Sequence, residues 1–346
     1  MTQATATAQL QTEKLVTEVL STIDRERERE IVARRFGLFD RKETLEQIGE
    51  MLGITRERVR QLEKSVVTKL RTASEQGTLP NITDFETPVI EILNDSGAVS
   101  RVSTLTAKLT QEANREEQAR VAFLSQLSPK LAVVQEDDNF YYSVSVRSIY
   151  DEKALRSQVA SLVETIKKIG EPKPIQEIAK VANIADSSQA DSLASTSKLL
   201  ATLNGRWGLV KWPMVNPKNI RDKIYVILKE NGKQMHFNEI SAAIKDSDFK
   251  RKDVTTQAIH NELIKDKRFV LIGRGIYALK EWGYEKGTVA DVIADVLREA
   301  GEPLHRDEIV KRVLKSRFVK ETTILLNLQG KPQFKRVAKA TYALAE

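Results

Sequence analysis

A pattern that recurs along most of this chain constrains its fold more than any single motif. Gly97, Gly170, Gly232 and Gly301 each follow a stretch with apolar residues at helical spacing. Ile220, Ile224, Ile227 and Leu228 form one such stretch; Val289, Val292, Ile293, Val296 and Leu297 form another. Seven or eight residues after each glycine a second helix begins, at Thr104-Leu105, Glu177-Ile178, Glu239-Ile240 and Glu308-Ile309. The last two copies share His-x-x-Glu-Ile, at His236 and His305. A third helix follows, with Ile259 and Leu263 in one copy and Ile324 and Leu328 in the next. An extended stretch closes each copy. RFVLIGRGIYALK (268–280) aligns without gaps on QFKRVAKATYALA (333–345), with Tyr277 and Tyr342 at the same place. Earlier copies end in NFYYSVSV (139–146) and RWGLVKW (206–212).

Each copy therefore reads as three helices and a β-hairpin over roughly 60–70 residues, too long for a solenoid repeat and right for a small domain. That element order is the order of a winged helix. The expected fold class is mainly α: an N-terminal helix-turn-helix domain followed by up to four small winged-helix modules in tandem. The expected boundaries are a loose N-terminus at 1–12, a helix-turn-helix domain at 13–76, a linker at 77–85, and modules at 86–146, 152–213, 216–284 and 287–346. The linker is placed on TASEQGTLPN (72–81), with its glycine, proline and polar residues.

Composition narrows the chemistry. The 346 residues include no cysteine and three histidines, which excludes disulfides, thiol catalysis and thiolate zinc sites and argues against a His-rich metal centre. No run approaches 18 apolar residues, and the N-terminus lacks the basic and apolar regions of a secretory signal. The expectation is a soluble, cytoplasmic, nucleoid-associated protein with no cofactor, no membrane partner and no small-molecule substrate. Net charge is +7, divided as +1 over residues 1–80, −2 over 81–214 and +8 over 215–346. The basic excess in the last third fits either a polyanion partner or a solvated surface.

The segment TLEQIGEMLGITRERVRQLEKSVVTKLR (44–71) carries the most information. Leu45, Ile48 and Leu52 share one face of a short helix, which Thr44 and Gln47 can start as a capping box. Gly53 supplies the turn, and Gly49 permits close approach between helices. A second helix follows Thr55, with Val59, Leu62, Val66 and Leu70 as its buried stripe. Two helices about a glycine turn make a helix-turn-helix. On the other face Arg56, Arg60 and Lys64 form one stripe, and Glu57 and Gln61 the next. Arginine pairs with guanine O6 and N7, glutamine with adenine, and glutamate accepts from cytosine N4. The first-helix amides at Thr44–Glu46 suit a phosphate. Such residues could equally form intrahelical ion pairs on a solvated helix.

The run IVARRFGLFDRKETLEQIGEMLGITRERVRQLEKSVVTKLR (31–71) resembles region 4 of the housekeeping-type bacterial sigma factors, closely so through RRFGL, TLEQIGEMLGITRERVRQLE and KLR. The resemblance implies a domain that reads the minus-thirty-five promoter element through the major groove. It implies Arg56, Glu57 and Gln61 as base readers, and Arg35, Thr44, Leu45, Arg58, Arg60 and Lys64 as backbone contacts. It also implies docking on the β flap of the RNA polymerase core. Leu15, Val19, Leu20, Ile23, Ile31, Val32 and Phe36 would then be either the docking surface or the domain's own core. The resemblance covers about 60 residues and includes nothing like the promoter-melting region, so this chain is not expected to open promoters alone.

The last two copies resemble the HARE-HTH winged-helix module of the RNA polymerase delta subunit. GEPLHRDEIVKRVL (301–314) with FKRVAKATYALAE, and GKQMHFNEISAAI (232–244) with FVLIGRGIYALK, carry that likeness. Both repeated histidines are expected to be structural, at the start of the second helix, and both tyrosines are expected to anchor the wing. Lys267, Arg268, Arg274, Lys335, Arg336 and Lys339 are candidate wing contacts to the DNA backbone; the same charges also suit a solvated hairpin edge. The expected function is a sequence-specific DNA-binding transcription regulator acting on double-stranded, promoter-like sites. The alternative is an RNA polymerase adaptor that docks through the sigma-like domain. HARE-HTH modules also accompany nucleases, but there is no Asp…Glu-x-Lys cluster, glycine-rich phosphate loop or metal-spaced histidine pair to support an enzyme.

Overall fold

Polar caps and left-handed glycines punctuate the helices of this protein. The structure, a computed structural model, describes residues 10–284 and 287–345. The chain is mainly helical with small antiparallel sheets, and it divides into two compact units, one ending at Lys211 and the other beginning at Trp212. The N-terminal residues 1–9 lie outside the described residues.

The first unit opens with α1 (Thr12–Ser21), α2 (Glu26–Phe36), α3 (Leu45–Leu52) and α4 (Arg56–Glu75). It continues with α5 (Ile82–Asp95), β1 (Val99–Arg101), α6 (Val102–Leu109), α7 (Arg115–Leu127), β2 (Leu131–Val134) and β3 (Ser143–Val146). The next copy is α8 (Glu152–Ile169), β4 (Lys173–Pro174), α9 (Ile175–Val181), α10 (Ser187–Thr196), β5 (Leu200–Leu203) and β6 (Arg206–Leu209). The second unit holds α11 (Ile220–Asn231), β7 (Met235–His236), α12 (Phe237–Asp246), α13 (Thr256–Lys265), β8 (Phe269–Gly273) and β9 (Ile276–Leu279). It ends with α14 (Val289–Ala300), β10 (Leu304–His305), α15 (Arg306–Ser316), α16 (Glu321–Gly330), β11 (Phe334–Ala338) and β12 (Thr341–Leu344).

Each copy forms a three-stranded sheet, where the sequence predicts a two-stranded hairpin. The orders are β1-β3-β2, β4-β6-β5, β7-β9-β8 and β10-β12-β11. The added strand is two or three residues between the first and second helices, too short to show any periodicity. It pairs at equivalent places in the last two copies, Met235 with Tyr277 and Leu304 with Tyr342. Both tyrosines are buried there. The two β-hairpins also share an irregularity, between Leu271 and Gly273 in one and between Arg336 and Ala338 in the other, positions that coincide in the sequence alignment. His236 and His305 cap α12 and α15: each ring nitrogen Nδ1 accepts from a backbone amide, Asn238 at 3.2 Å and Asp307 at 3.3 Å.

The connection after α4 is shorter than expected. α4 runs to Glu75 and α5 begins at Ile82, so residues 82–85 of the predicted linker are helical. Phe85 is fully buried, and that apolar anchor outweighs the nearby Pro80 and Gly77. Helix α1 packs on α7 and α5 of the following copy. Glu13 of α1 meets Arg120 of α7 at 3.0 Å, and Asn81 donates to Glu18 at 2.5 Å. The helix-turn-helix segment joins the same body. Phe36 packs on Phe123 with ring centroids 4.9 Å apart, Arg120 Nε donates to the Leu38 carbonyl at 2.8 Å, and Arg71 Nε to that of Gln126 at 2.8 Å.

Candidate nucleic-acid interface

The helix-turn-helix is built from α2, α3 and α4 around buried Ile31, Ile48 and Val59, with Leu45, Leu52, Ile54 and Leu62 packed against them. Thr44 starts α3 as a full capping box: its hydroxyl accepts from the Gln47 amide at 3.2 Å, and the Gln47 side chain accepts from the Thr44 amide at 2.9 Å. Gly53 ends the helix at φ +63°, in the left-handed region that disfavours a side chain. Thr55 then caps α4, accepting from the Arg58 amide at 3.2 Å. Gly49 faces the turn itself, since a Cβ there would lie 2.7 Å from the Ile54 carbonyl oxygen. The expected Val59, Val66 and Leu70 stripe is buried, with Leu62 half-buried beside it.

Arg56, Glu57 and Gln61 lie exposed on the first two turns of α4, together with Arg58, Arg60 and Lys64. They form a surface network. Arg56 Nη1 donates to Glu46 of α3 at 2.9 Å. Arg60 grips Glu57 with two bonds, at 2.9 and 2.7 Å, and Gln61 Nε2 reaches Glu57 at 3.4 Å. Arg58 reaches Gln61 at 3.4 Å. Exposed ion pairs are each worth about 0–1 kcal/mol, and a bidentate side chain–base pair about 1–3 kcal/mol of discrimination. The network can therefore be exchanged for base contacts at a net gain.

Arg60's double hydrogen bond is the main reason the Glu57 carboxyl sits below its ordinary pKa. A lowered folded pKa means the pair is present above the ordinary carboxylate range and is lost as pH falls through the folded value. In Arg60→Ala, the Glu57 side-chain carboxyl resonance is expected to titrate at higher pH, toward the ordinary value. An unchanged NMR titration would show that the pair does not form in solution.

The remaining predicted site residues are placed differently. Thr44 is exposed and Leu45 half-buried at the start of α3. Arg35 is half-buried and engaged within the domain, to Glu63 at 3.2 Å and the Glu43 carbonyl at 3.3 Å. Lys267, Arg274, Lys335, Arg336 and Lys339 are exposed around the two hairpins. Arg268 is tied down, to Asp266 at 2.8 Å and Asp222 at 3.2 Å, and lies over the Tyr225 ring. Leu15, Val19, Leu20, Ile23, Ile31 and Val32 are buried core residues, and Phe36 is half-buried against Phe123. Sequence reasoning missed Glu46 and Glu63 as the partners of Arg56 and Arg35. Neither pairing has a local signature, because each joins two helices. Among the described residues no cluster of three or more His, Asp or Glu could hold a metal ion, and no helix is long and apolar enough to cross a membrane.

The family described as Sigma-70, region 4, matches residues 25–72, the three helices that build this surface. Residues 25–72 carry a sigma-70 region 4 domain. This chain is 48 % identical over 63 residues to the RNA polymerase sigma factor RpoD of Helicobacter pylori, an overlap of 17 % of this chain and 9 % of that protein. It is 43 % identical over 72 residues to the RNA polymerase sigma factor SigA of a Bacillus species, covering 20 % of this chain and 19 % of the relative. A third relative, RNA polymerase sigma factor sigB of Arabidopsis thaliana, is 52 % identical over 46 residues, covering 13 % and 8 %. The chain thus spans less than a fifth of the length of these relatives. The region 4 domain is a DNA-binding transcription domain rather than a catalytic one.

Proposed function

We propose that this protein is a sequence-specific DNA-binding transcription regulator whose region 4 domain reads a short promoter-like site. One observation carries the reading: Arg56, Glu57 and Gln61 stand exposed on the leading turns of a doubly capped helix-turn-helix. Helix α4 enters the major groove with these three side chains on base edges. Thr44, Leu45, Arg58, Arg60 and Lys64 lie along the backbone, where the amides and the positive end of α3 favour phosphate. The repeated modules act as winged helices, the last two of the HARE-HTH kind, and their exposed hairpin lysines and arginines add sequence-independent affinity. Tethering turns these weak contacts into avidity that one small domain lacks.

The competing reading is an adaptor that docks on the RNA polymerase core. The enclosure of Leu15, Val19, Leu20, Ile23, Ile31 and Val32 within the chain's own packing weighs against docking through those residues. Selection of duplexes from a random pool, with the intact protein at moderate salt, tests the choice. Enrichment of one short motif supports the regulator. Binding without enrichment that falls steeply with salt means backbone contact alone. That outcome, with capture of purified core polymerase in the absence of DNA, would favour the adaptor.

A further inference from the structure

The third helices of the repeated modules differ in what covers them. In the first unit, α7 is packed by α1, α4 and α6, and α10 lies on β1. There Ser192 donates to the Ser96 carbonyl, and a Cβ on Gly97 would lie 2.5 Å from the Gln189 Cα. Neither helix has a free face for a groove. In the second unit, α13 buries Ile259 and Leu263 and leaves Gln257, Asn261 and Lys265 exposed at four-residue spacing, one stripe along the helix. Helix α16 buries the matching Ile324 and Leu328, but its stripe is Thr322, Leu326 and Gly330, with Leu326 68 % exposed. Two amides, bonded to each other at 3.1 Å, and an amine line the one stripe, with Ile264, 61 % exposed, beside them; a leucine occupies the middle of the other.

A second feature sets the α13 module apart. From Ile244 to Ile259 the chain advances 15 positions, against 11 from Val313 to Ile324, so the approach to α13 is longer by four residues. That approach contains the exposed Lys250 and Arg251. Its shape is set from below. Lys223 of α11, only 4 % exposed, donates from Nζ to the carbonyls of Lys250 at 2.9 Å and Arg251 at 2.7 Å. A buried ammonium is costly unless its donors are satisfied, so this one fixes the turn while the side chains above it point outward. Val292 holds the equivalent place in α14 and pins nothing. Glu262 is engaged with Arg221 at 3.3 Å and Asp266 with Arg268, while Asp248 and Asp253 stand exposed on either side of the Lys250–Arg251 turn.

We propose that the module at 216–284 makes a second contact with duplex DNA. Helix α13 lies in a major groove, with Gln257 and Asn261 on base edges. Lys265, the pinned Lys250–Arg251 turn and Arg274 of the hairpin lie on the flanking phosphates. Side-chain amides match the N6–N7 edge of adenine in the major groove, and the narrow major groove of duplex RNA excludes a helix. The inference rests on DNA being the partner of this chain, and it adds a contact that the region 4 reading does not require.

Hydroxyl-radical footprinting of the full chain on its selected site, embedded in a long duplex, tests it. Two separated protected tracts are expected. Gln257→Ala with Asn261→Ala should erase one tract and weaken binding about tenfold, leaving the tract that depends on Arg56 and Gln61. Lys250→Ser with Arg251→Gly should lower the salt slope by about one to two, as expected for one or two lost phosphate contacts. Both pairs are exposed, and unchanged thermal melting by circular dichroism confirms the fold. Wild-type affinity and footprint in the Gln257–Asn261 variant would overturn the proposal. Unaltered DNA binding with lost capture of RNA polymerase core would do so too, by making this a protein-docking face. If instead Arg56→Ala with Gln61→Ala changes nothing and the α13 variant loses its tract, this proposal stands and the region 4 reading falls.

Discussion

Arg56→Ala combined with Gln61→Ala is expected to abolish preference for the tract that α4 reads while leaving the protein folded and still able to bind DNA. Both side chains are exposed and contribute nothing to the Ile31–Ile48–Val59 core, so thermal stability should shift little. Each bidentate base contact is worth about 1–3 kcal/mol of discrimination. Losing two should lower affinity for the selected site about 100-fold or more. Affinity for random duplex should change only a few-fold, because most phosphate contacts remain. Competition binding at fixed salt, with selected and scrambled duplexes, measures both numbers. Retained preference for the α4 tract in the double variant would remove α4 as its reader. Glu46→Ala makes an informative companion: it frees Arg56 from an exposed pair worth about 0–1 kcal/mol, so specificity should persist.

The second large effect concerns stability. Phe123 is fully buried in α7 and packs against Phe36 of the region 4 domain. Phe123→Ala removes a ring from the seam between that domain and the first repeated module, at a cost of about 3–5 kcal/mol. For a unit of this size that corresponds to a fall in Tm of roughly 6–20 °C. The second compact unit, from Trp212 onward, has its own cores and should melt as before. Differential scanning calorimetry should therefore show one transition moving and one holding still. Unchanged melting would mean that the seam does not couple the region 4 domain to α7. Loss of DNA selection alongside the early transition would show that α7 also holds the reading helix in place.

The helix-turn-helix was legible because its determinants are local. Thr44, Gln47, Gly53 and Thr55 act within a turn of their own positions, and the Ile48 and Val59 faces follow from a 3.6-residue period. The repeat was legible for the same reason, down to the capping histidines and the buried Tyr277 and Tyr342. The short first strand of each sheet was not. Two or three residues show no alternation, and their pairing depends on a partner 32–46 positions away. Arg268 shows the limit for charge. In sequence it is one of several basic hairpin residues, and only the fold brings Asp222 to it.

Sequence by itself marked the two helices of the helix-turn-helix, the turn between them and the α4 side chains that face outward, because caps, glycine turns and apolar period act over a few residues. Tertiary structure decided what those elements serve. It set α1 on α7 rather than on α2–α4, and it buried Arg120, 5 % exposed, as the tie to Leu38. It covered α7 and α10 while leaving α13 open, and it placed Lys223 beneath a basic turn. Those outcomes come from contacts between residues tens of positions apart, whose free energy depends on complementary surfaces meeting. No local pattern encodes that meeting.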